Sequence, residues 1–322
     1  MFRKLSVSAV SAAVLVAAAA AALSPAAAAS ASSAPVSSAR VALHFDLAKG
    51  QMPENIALGP GGTAYVTFAG SRQIAEVSPG GAVRILATLP EPADGGVHTP
   101  VLGFPLTVGI VRAHDGTLYF LYATGTADLT GVWRLRPGGR PQRIAALPAR
   151  GLPNGLALDP RTRTLYATDS VLGTVWRLPV TGGTATAWST APELASAGFL
   201  GANGLKIHNG AVWATNLDRG AVLRIPVRRD GSAGPVRTRA RGLAGIDDFA
   251  FTGHGDGLLA TLNGSSQVAL VRPDGSHSIV LSADDGLQNP TSVALRGDTV
   301  YVLSAAYVTA EDPNLVLARL DG

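Results

Sequence analysis

Apolar and polar residues alternate in short runs along most of this chain, and the runs recur in a fixed order. From residue 53 onward the stretches PENIAL, PLTVGI, PNGLAL, ANGLKI, IDDFAF and PTSVAL repeat one pattern. Each is a lead residue, two variable positions and an apolar–small–apolar core, with only Lys206 departing at the small position. A period of two over so few residues is the mark of a strand with one or both faces buried. A second run follows each one: TAYVTF, TLYFLY, TLYATD, AVWATN, GLLATL and TVYVLS. A third run comes next and commonly ends in Gly-Gly or Asp-Gly, as in VWRLRPGG and VALVRPDG, which reads as a hairpin turn. A fourth run appears five times, from AVRILATL to HSIVLSA. No long segment with helical periodicity follows residue 40.

Self-similarity at a period of about 40–50 residues is the signature of a blade repeat. The sixth unit ends in VLARLDG without a fourth strand, while RVALHFDL, residues 40–47, is a spare strand ahead of the first unit. A ring needs that strand to close. The prediction is therefore an all-β, six-bladed β-propeller of four-stranded blades over residues 40–322, with residues 40–47 completing blade six. A linear solenoid is the alternative, and a spare strand at one end matched by a missing one at the other argues against it. Closure leaves only short, protected edges.

The first strand of each blade lines the axis of such a ring, so equivalent positions stand at one height. The second position of the repeat falls at Glu54, Leu106, Asn154, Asn203, Asp247 and Thr291. Four of the six carry oxygen donors. Asn-Gly ahead of a strand is ordinarily a turn, which accounts for Asn154 and Asn203 but poorly for Glu54 or for the adjacent acids Asp247 and Asp248. Buried acids require a counter-charge. Glu54, Asn154, Asn203 and Asp247 are thus the expected metal ligands. Two carboxylates and two amide carbonyls, with no Cys in the chain and no His at this register, suit Ca²⁺ best, with Mg²⁺ or Mn²⁺ as alternatives. Of the histidines, only His98 lies in a loop that enters a first strand, EPADGGVHTPVLGFP. That loop and APELASAGFLG are expected to border the site as lid segments, with His98 a candidate acid–base residue or an ordinary loop histidine.

Composition adds the compartment. Residues 1–29 read as a secretion signal: Phe2-Arg3-Lys4, an Ala-rich apolar run, then small residues with cleavage expected after Ala28 or Ala29. A permanent membrane anchor is the rival reading. Residues 30–39 are expected to form a flexible leader. Loss of Arg3 and Lys4 from the 26 basic residues leaves 24 against 22 acidic ones. That balance predicts neither nucleic-acid nor membrane binding after cleavage. The basic segment PVRRDGSAGPVRTRARG alternates along a strand–turn–strand pattern and reads as a solvated outer face. The expected product is a secreted monomer that acts on a small molecule.

Six blades and a Glu–Asn–Asn–Asp ring resemble the calcium-dependent propeller hydrolases: the regucalcin/gluconolactonase family, diisopropyl fluorophosphatase and the paraoxonases. PNGLAL is similar to the strand entry of gluconolactonases, and GANGLKI and GIDDFAF to those of paraoxonases and the fluorophosphatase. Asp248 resembles a further paraoxonase ligand only as Asp for Asn. The pattern departs at blade two, where paraoxonases carry His and gluconolactonases Asn; the aligned residue here is Leu106. It departs again at PENIAL, where gluconolactonases carry Glu-Gly-Pro. The resemblance implies a Ca²⁺-dependent hydrolase of lactones or related esters, with Asp247 as ligand and as nucleophile or general base, assisted by Asp248. Two alternatives stay open: a non-catalytic binding propeller, and a strictosidine synthase-like activity, since the fold alone does not decide function.

Overall fold

The computed structural model describes residues 35–321. The expected signal, residues 1–29, lies outside the described residues. Within them the chain forms six antiparallel four-stranded sheets, and the helical segments are 3-10 turns of three residues. Each sheet is a blade. In five of them the strands run in chain order outward from the axis, and the inner strands are Pro53–Leu58, Leu106–Arg112, Pro153–Asp159, Ala202–His208 and Ile246–Phe251. The sixth starts at Pro290–Arg296 and is completed by the first strand of the chain, Val36–His44, which pairs with Asn314–Leu320. Each inner strand touches the inner strands on either side, and the first touches the sixth, so the ring is closed.

The closing strand, Val36–His44, starts four residues before the expected 40–47 and ends three residues before it. Val36 is buried opposite Leu320, and the Asp321 amide donates to the Pro35 carbonyl, so residues 36–39 are strand and not leader. The far end stops at His44 because Asp46 caps a 3-10 turn, Leu47–Lys49, by accepting from the Lys49 amide. Phe45, just past the strand, packs on Phe68 at 5.1 Å between centroids. It joins Val66, Leu303 and Leu315 in the apolar seam between blades six and one. Apolar residues fill comparable seams between other neighbouring blades.

The glycine after each ring asparagine is explained by how close the inner strands come. A Cβ on Gly204 would stand 2.6 Å from an Asp248 carboxylate oxygen and 2.7 Å from its Cα. One on Gly155 would strike the Asn203 carbonyl, and one on Gly109 the Asn154 carbonyl. Only glycine permits such an approach. The threonines of the second strands stitch the same seam. Thr168 donates to the Asn203 carbonyl, Thr215 to the Asp247 carbonyl at 2.6 Å, and Thr261 to the Thr291 carbonyl at 3.2 Å.

Strand pairing corrects the repeat alignment in blade two. Ile110 faces Phe120 as Leu156 faces Ala167 and Leu205 faces Ala214. The counterpart of Asn154 is therefore Val108, two residues beyond Leu106, and Gly109 matches Gly155. Alignment on the lead proline fails here because Pro105 lies in the loop ahead of its strand, whereas Pro53, Pro153 and Pro290 open theirs; Gly109 is pinned by contact with the next inner strand. Either way blade two contributes an aliphatic side chain where four other blades contribute a carboxylate or amide oxygen.

Candidate active site

At one end of the ring the inner strands enter through a cavity of about 320 Å³. Glu54, Leu106, Asn154, Asn203 and Asp247 all line it, each from the start of its inner strand. The structure thus brings together the four oxygen-bearing residues of the repeat register, all of them buried. Asn263 and Tyr307 complete the polar floor.

The hydrogen bonds separate structural from unassigned groups. Asp169 is fully buried, but its Oδ1 accepts from the amides of Leu152, Val171 and Leu172, so it is consumed in holding its loop. Asn216 likewise donates to the Glu193 and Ala195 carbonyls and accepts from the Arg219 amide. In the cavity, Asn154 Nδ2 donates to Ser170 Oγ at 3.2 Å, and Tyr307 donates to Glu54 Oε2 at 2.6 Å. Asn203 Oδ1 is buried with no hydrogen-bond partner. A buried acceptor left unpaired costs free energy, and of the described residues with such an atom Asn203 is the one that lines this cavity.

The two carboxylates point the same way. Burial pushes the Glu54 carboxyl up to about 7 against the Tyr307 hydrogen bond, and the Asp248 charge adds to the rise. Burial, then the charges of Glu54 and Asp248, raise Asp247 well above the usual carboxylate range, opposed by an Asn203 hydrogen bond and the Lys206 charge. Burial and Glu54 raise the Tyr307 phenol as well. A bound cation would reverse the sign of these shifts. In the metal-free protein Glu54 titrates higher folded than unfolded. Its stabilising protonation is complete below its ordinary value of 4.5 and is lost as pH rises through about 7. Chelated protein should therefore unfold at lower urea at pH 8 than at pH 5, and Glu54→Gln should flatten that slope.

Asp248 does not line the cavity. It follows Asp247 on the same strand, and its carboxylate accepts from Lys206 Nζ at 2.6 and 2.7 Å and from Asn55 Nδ2 at 3.3 Å. Lys206 also lines the opposite mouth of the ring, about 480 Å³, with Ala57, Val111, Ala157 and Ala294. The pair is a charged plug between the two openings, and its action on Asp247 is through space. His98 lies outside the cavity: its ring is exposed and takes Asp94 Oδ2 at 2.6 Å. The loops expected to border the site do so through other residues, Leu102 and Phe104 from one, Phe199 and Leu200 from the other. Asn263 and Tyr307 escape a reading confined to strand entries because both follow the second strands of their blades. Asn263 stands one residue past its strand and Tyr307 three, so no single repeat position marks both. Arg237 and Arg239 of the basic segment are exposed, as a solvated face requires.

Among the described residues, no group of three or more His, Asp or Glu side chains forms a metal site. The cavity reaches four donors only by counting the two asparagines. The set nonetheless fits a hard cation: an unpaired buried amide oxygen and two buried carboxylates converge on one space. Among the described residues no helix is long and apolar enough to cross a membrane.

No protein-family model matches the chain, and no curated protein matches it by sequence. Solved structures resemble it in fold. A gluconolactonase from Xanthomonas campestris is 14% identical with a TM-score of 0.61, over 88% of this chain and 94% of that one. The PQQ-bound aldose sugar dehydrogenase from Streptomyces coelicolor is 14% identical with a TM-score of 0.62, over 88% and 98%. Virginiamycin B lyase from Staphylococcus aureus is 15% identical with a TM-score of 0.58, over 83% and 80%. At these identities the likeness is one of fold, shared by proteins with different chemistry.

Proposed function

We propose that this chain is a secreted, monomeric, Ca²⁺-dependent hydrolase of lactones or related esters. The observation that carries the reading is the convergence of Glu54, Asn154, Asn203 and Asp247 on one cavity, with Asn203 Oδ1 buried and unpaired. These four residues would hold the ion. When bound, it supplies positive charge that polarises a carbonyl and stabilises the oxyanion. The chain's own groups do the rest. Asp247 acts as nucleophile on the acyl carbon or as base for the attacking water. Asn263, 3.4 Å from Asp247 Oδ2, holds that carboxylate in place. Tyr307 occupies one oxygen of Glu54 and leaves the other for the ion. The apolar walls keep bulk water from competing.

The deciding experiment is thermal unfolding of the chain from residue 30 after chelation, with Ca²⁺ added back and Mg²⁺ in parallel. A ligand specific to the folded state stabilises by about 2.7 kcal/mol at a hundredfold excess over Kd. A saturable Ca²⁺ shift that Asp247→Ala removes is the expected result. No response to any divalent ion would remove the hydrolase reading. The aliphatic Val108 and Leu106 of blade two would then mark a non-catalytic binding propeller.

A further inference from the structure

We infer that the cavity takes a substrate with an apolar body, an alkyl-bearing lactone or ester, and turns away polyhydroxylated sugar lactones. The inference rests on the hydrolase reading above and narrows its substrate. Polar groups are confined to the floor, and their side-chain donors are already engaged. Tyr307 is spent on Glu54, Asn154 Nδ2 on Ser170, and Asn263 Nδ2 on Asp247 and the carbonyls of Asn289 and Pro290. Above the floor the walls are Leu102, Phe104, Leu106, Leu200 and Leu217, none with a side-chain donor or acceptor. Sugar hydroxyls set against such walls lose water and find no partner. An alkyl chain there gains about fourfold in affinity for each methylene taken out of water.

Two apolar residues carry the wall out to solvent. Phe199 and Val308 line the cavity yet are 48% and 78% exposed. Both are held there. Asp218 Oδ2 accepts from the Ala197 and Phe199 amides at 2.7 and 2.9 Å, and its Oδ1 from the Leu200 amide at 3.1 Å. Asn289 Oδ1 accepts from the Val308 and Thr309 amides at 2.9 and 3.0 Å. Large apolar side chains fixed at a mouth and left open to water mark a surface that something apolar covers. A cavity of about 320 Å³ is at the small end for a ligand site. It holds the lactone ring and the start of its chain, and the remainder lies along Phe199 and Val308.

The test uses γ-alkyl butyrolactones with two-, six- and ten-carbon chains, glucono-δ-lactone, and the uncleavable 2-alkylcyclopentanones as binding probes in calorimetry. The Ca²⁺-loaded protein is compared with Phe199→Asn, a change at an exposed position that spares the core. The expected result is kcat/KM rising with chain length, little turnover of the sugar lactone, and binding of the ten-carbon ketone about five- to tenfold weaker in Phe199→Asn. Preferential turnover of glucono-δ-lactone overturns the inference and leaves the hydrolase reading intact. If no lactone is cleaved, the hydrolase reading falls. Ketone binding then decides the apolar site by itself: affinity that grows with chain length and drops in Phe199→Asn upholds it, and affinity indifferent to both overturns it.

Discussion

Replacing Asp247 by Asn is expected to cut turnover by about 10²–10⁴-fold while leaving the fold intact. The two side chains are nearly isosteric, so the cavity keeps its shape. The amide neither attacks a carbonyl nor takes a proton from water, and the anionic charge facing the ion is gone. The stability of the metal-free protein should move the other way. Asp247 is buried beside Glu54 and Asp248, and these charges oppose its ionisation. A neutral residue there relieves the repulsion, so the chelated variant should melt no lower than the parent and its Ca²⁺-induced shift should shrink. Measurement of kcat/KM with thermal unfolding in chelator and in Ca²⁺ tests all three parts. Undiminished turnover would exclude Asp247 from the chemistry.

Lys206→Met is expected to destabilise the chain by about 2–3 kcal/mol, at or below the low end of the range for removing one partner of a buried ion pair, because Lys206 itself is 29% exposed. Asp248 is 3% exposed, and Lys206 Nζ is its only salt-bridge partner among the described residues. Without it the carboxylate keeps the single Asn55 contact at 3.3 Å. The ammonium also stands 5.6 Å from the Phe249 ring centre, a lesser contribution. Lys206→Met combined with Asp248→Asn should recover most of the loss, because the cost is an uncompensated charge and not lost packing. Urea unfolding of the single and double variants measures it. A single variant within about 0.5 kcal/mol of the parent would show that the plug does not contribute to holding the ring.

The two variants probe neighbouring residues that the sequence presents as a pair of acids. On the strand they part. Asp247 opens onto the cavity with Glu54, and Asp248 turns to Lys206 and Asn55. The reading of Asp248 as an assistant at the reaction centre rests on the paraoxonase resemblance, in which it stands as Asp for Asn. Lys206 was visible as the one break in the small-residue column, but its partner was not, because 42 residues separate them. His98 shows the same limit. Its loop does border the cavity, yet which side chains of a loop face inward depends on what they pack against, and His98 instead faces solvent and Asp94.

What the sequence by itself determined is the number of blades, the four strands in each, the closing of the ring by the chain's first strand, and the register of Glu54, Asn154, Asn203 and Asp247. Those features repeat, and repetition turns a weak local pattern into a strong one. Tertiary structure alone decided the blade-two register at Val108, the start of the closing strand at Val36, the recruitment of Tyr307 to Glu54, and the apolar walls with Phe199 and Val308 at the mouth. None of these repeats from blade to blade. Each arises where segments distant in sequence meet once, under close packing and the demand that buried polar groups be paired.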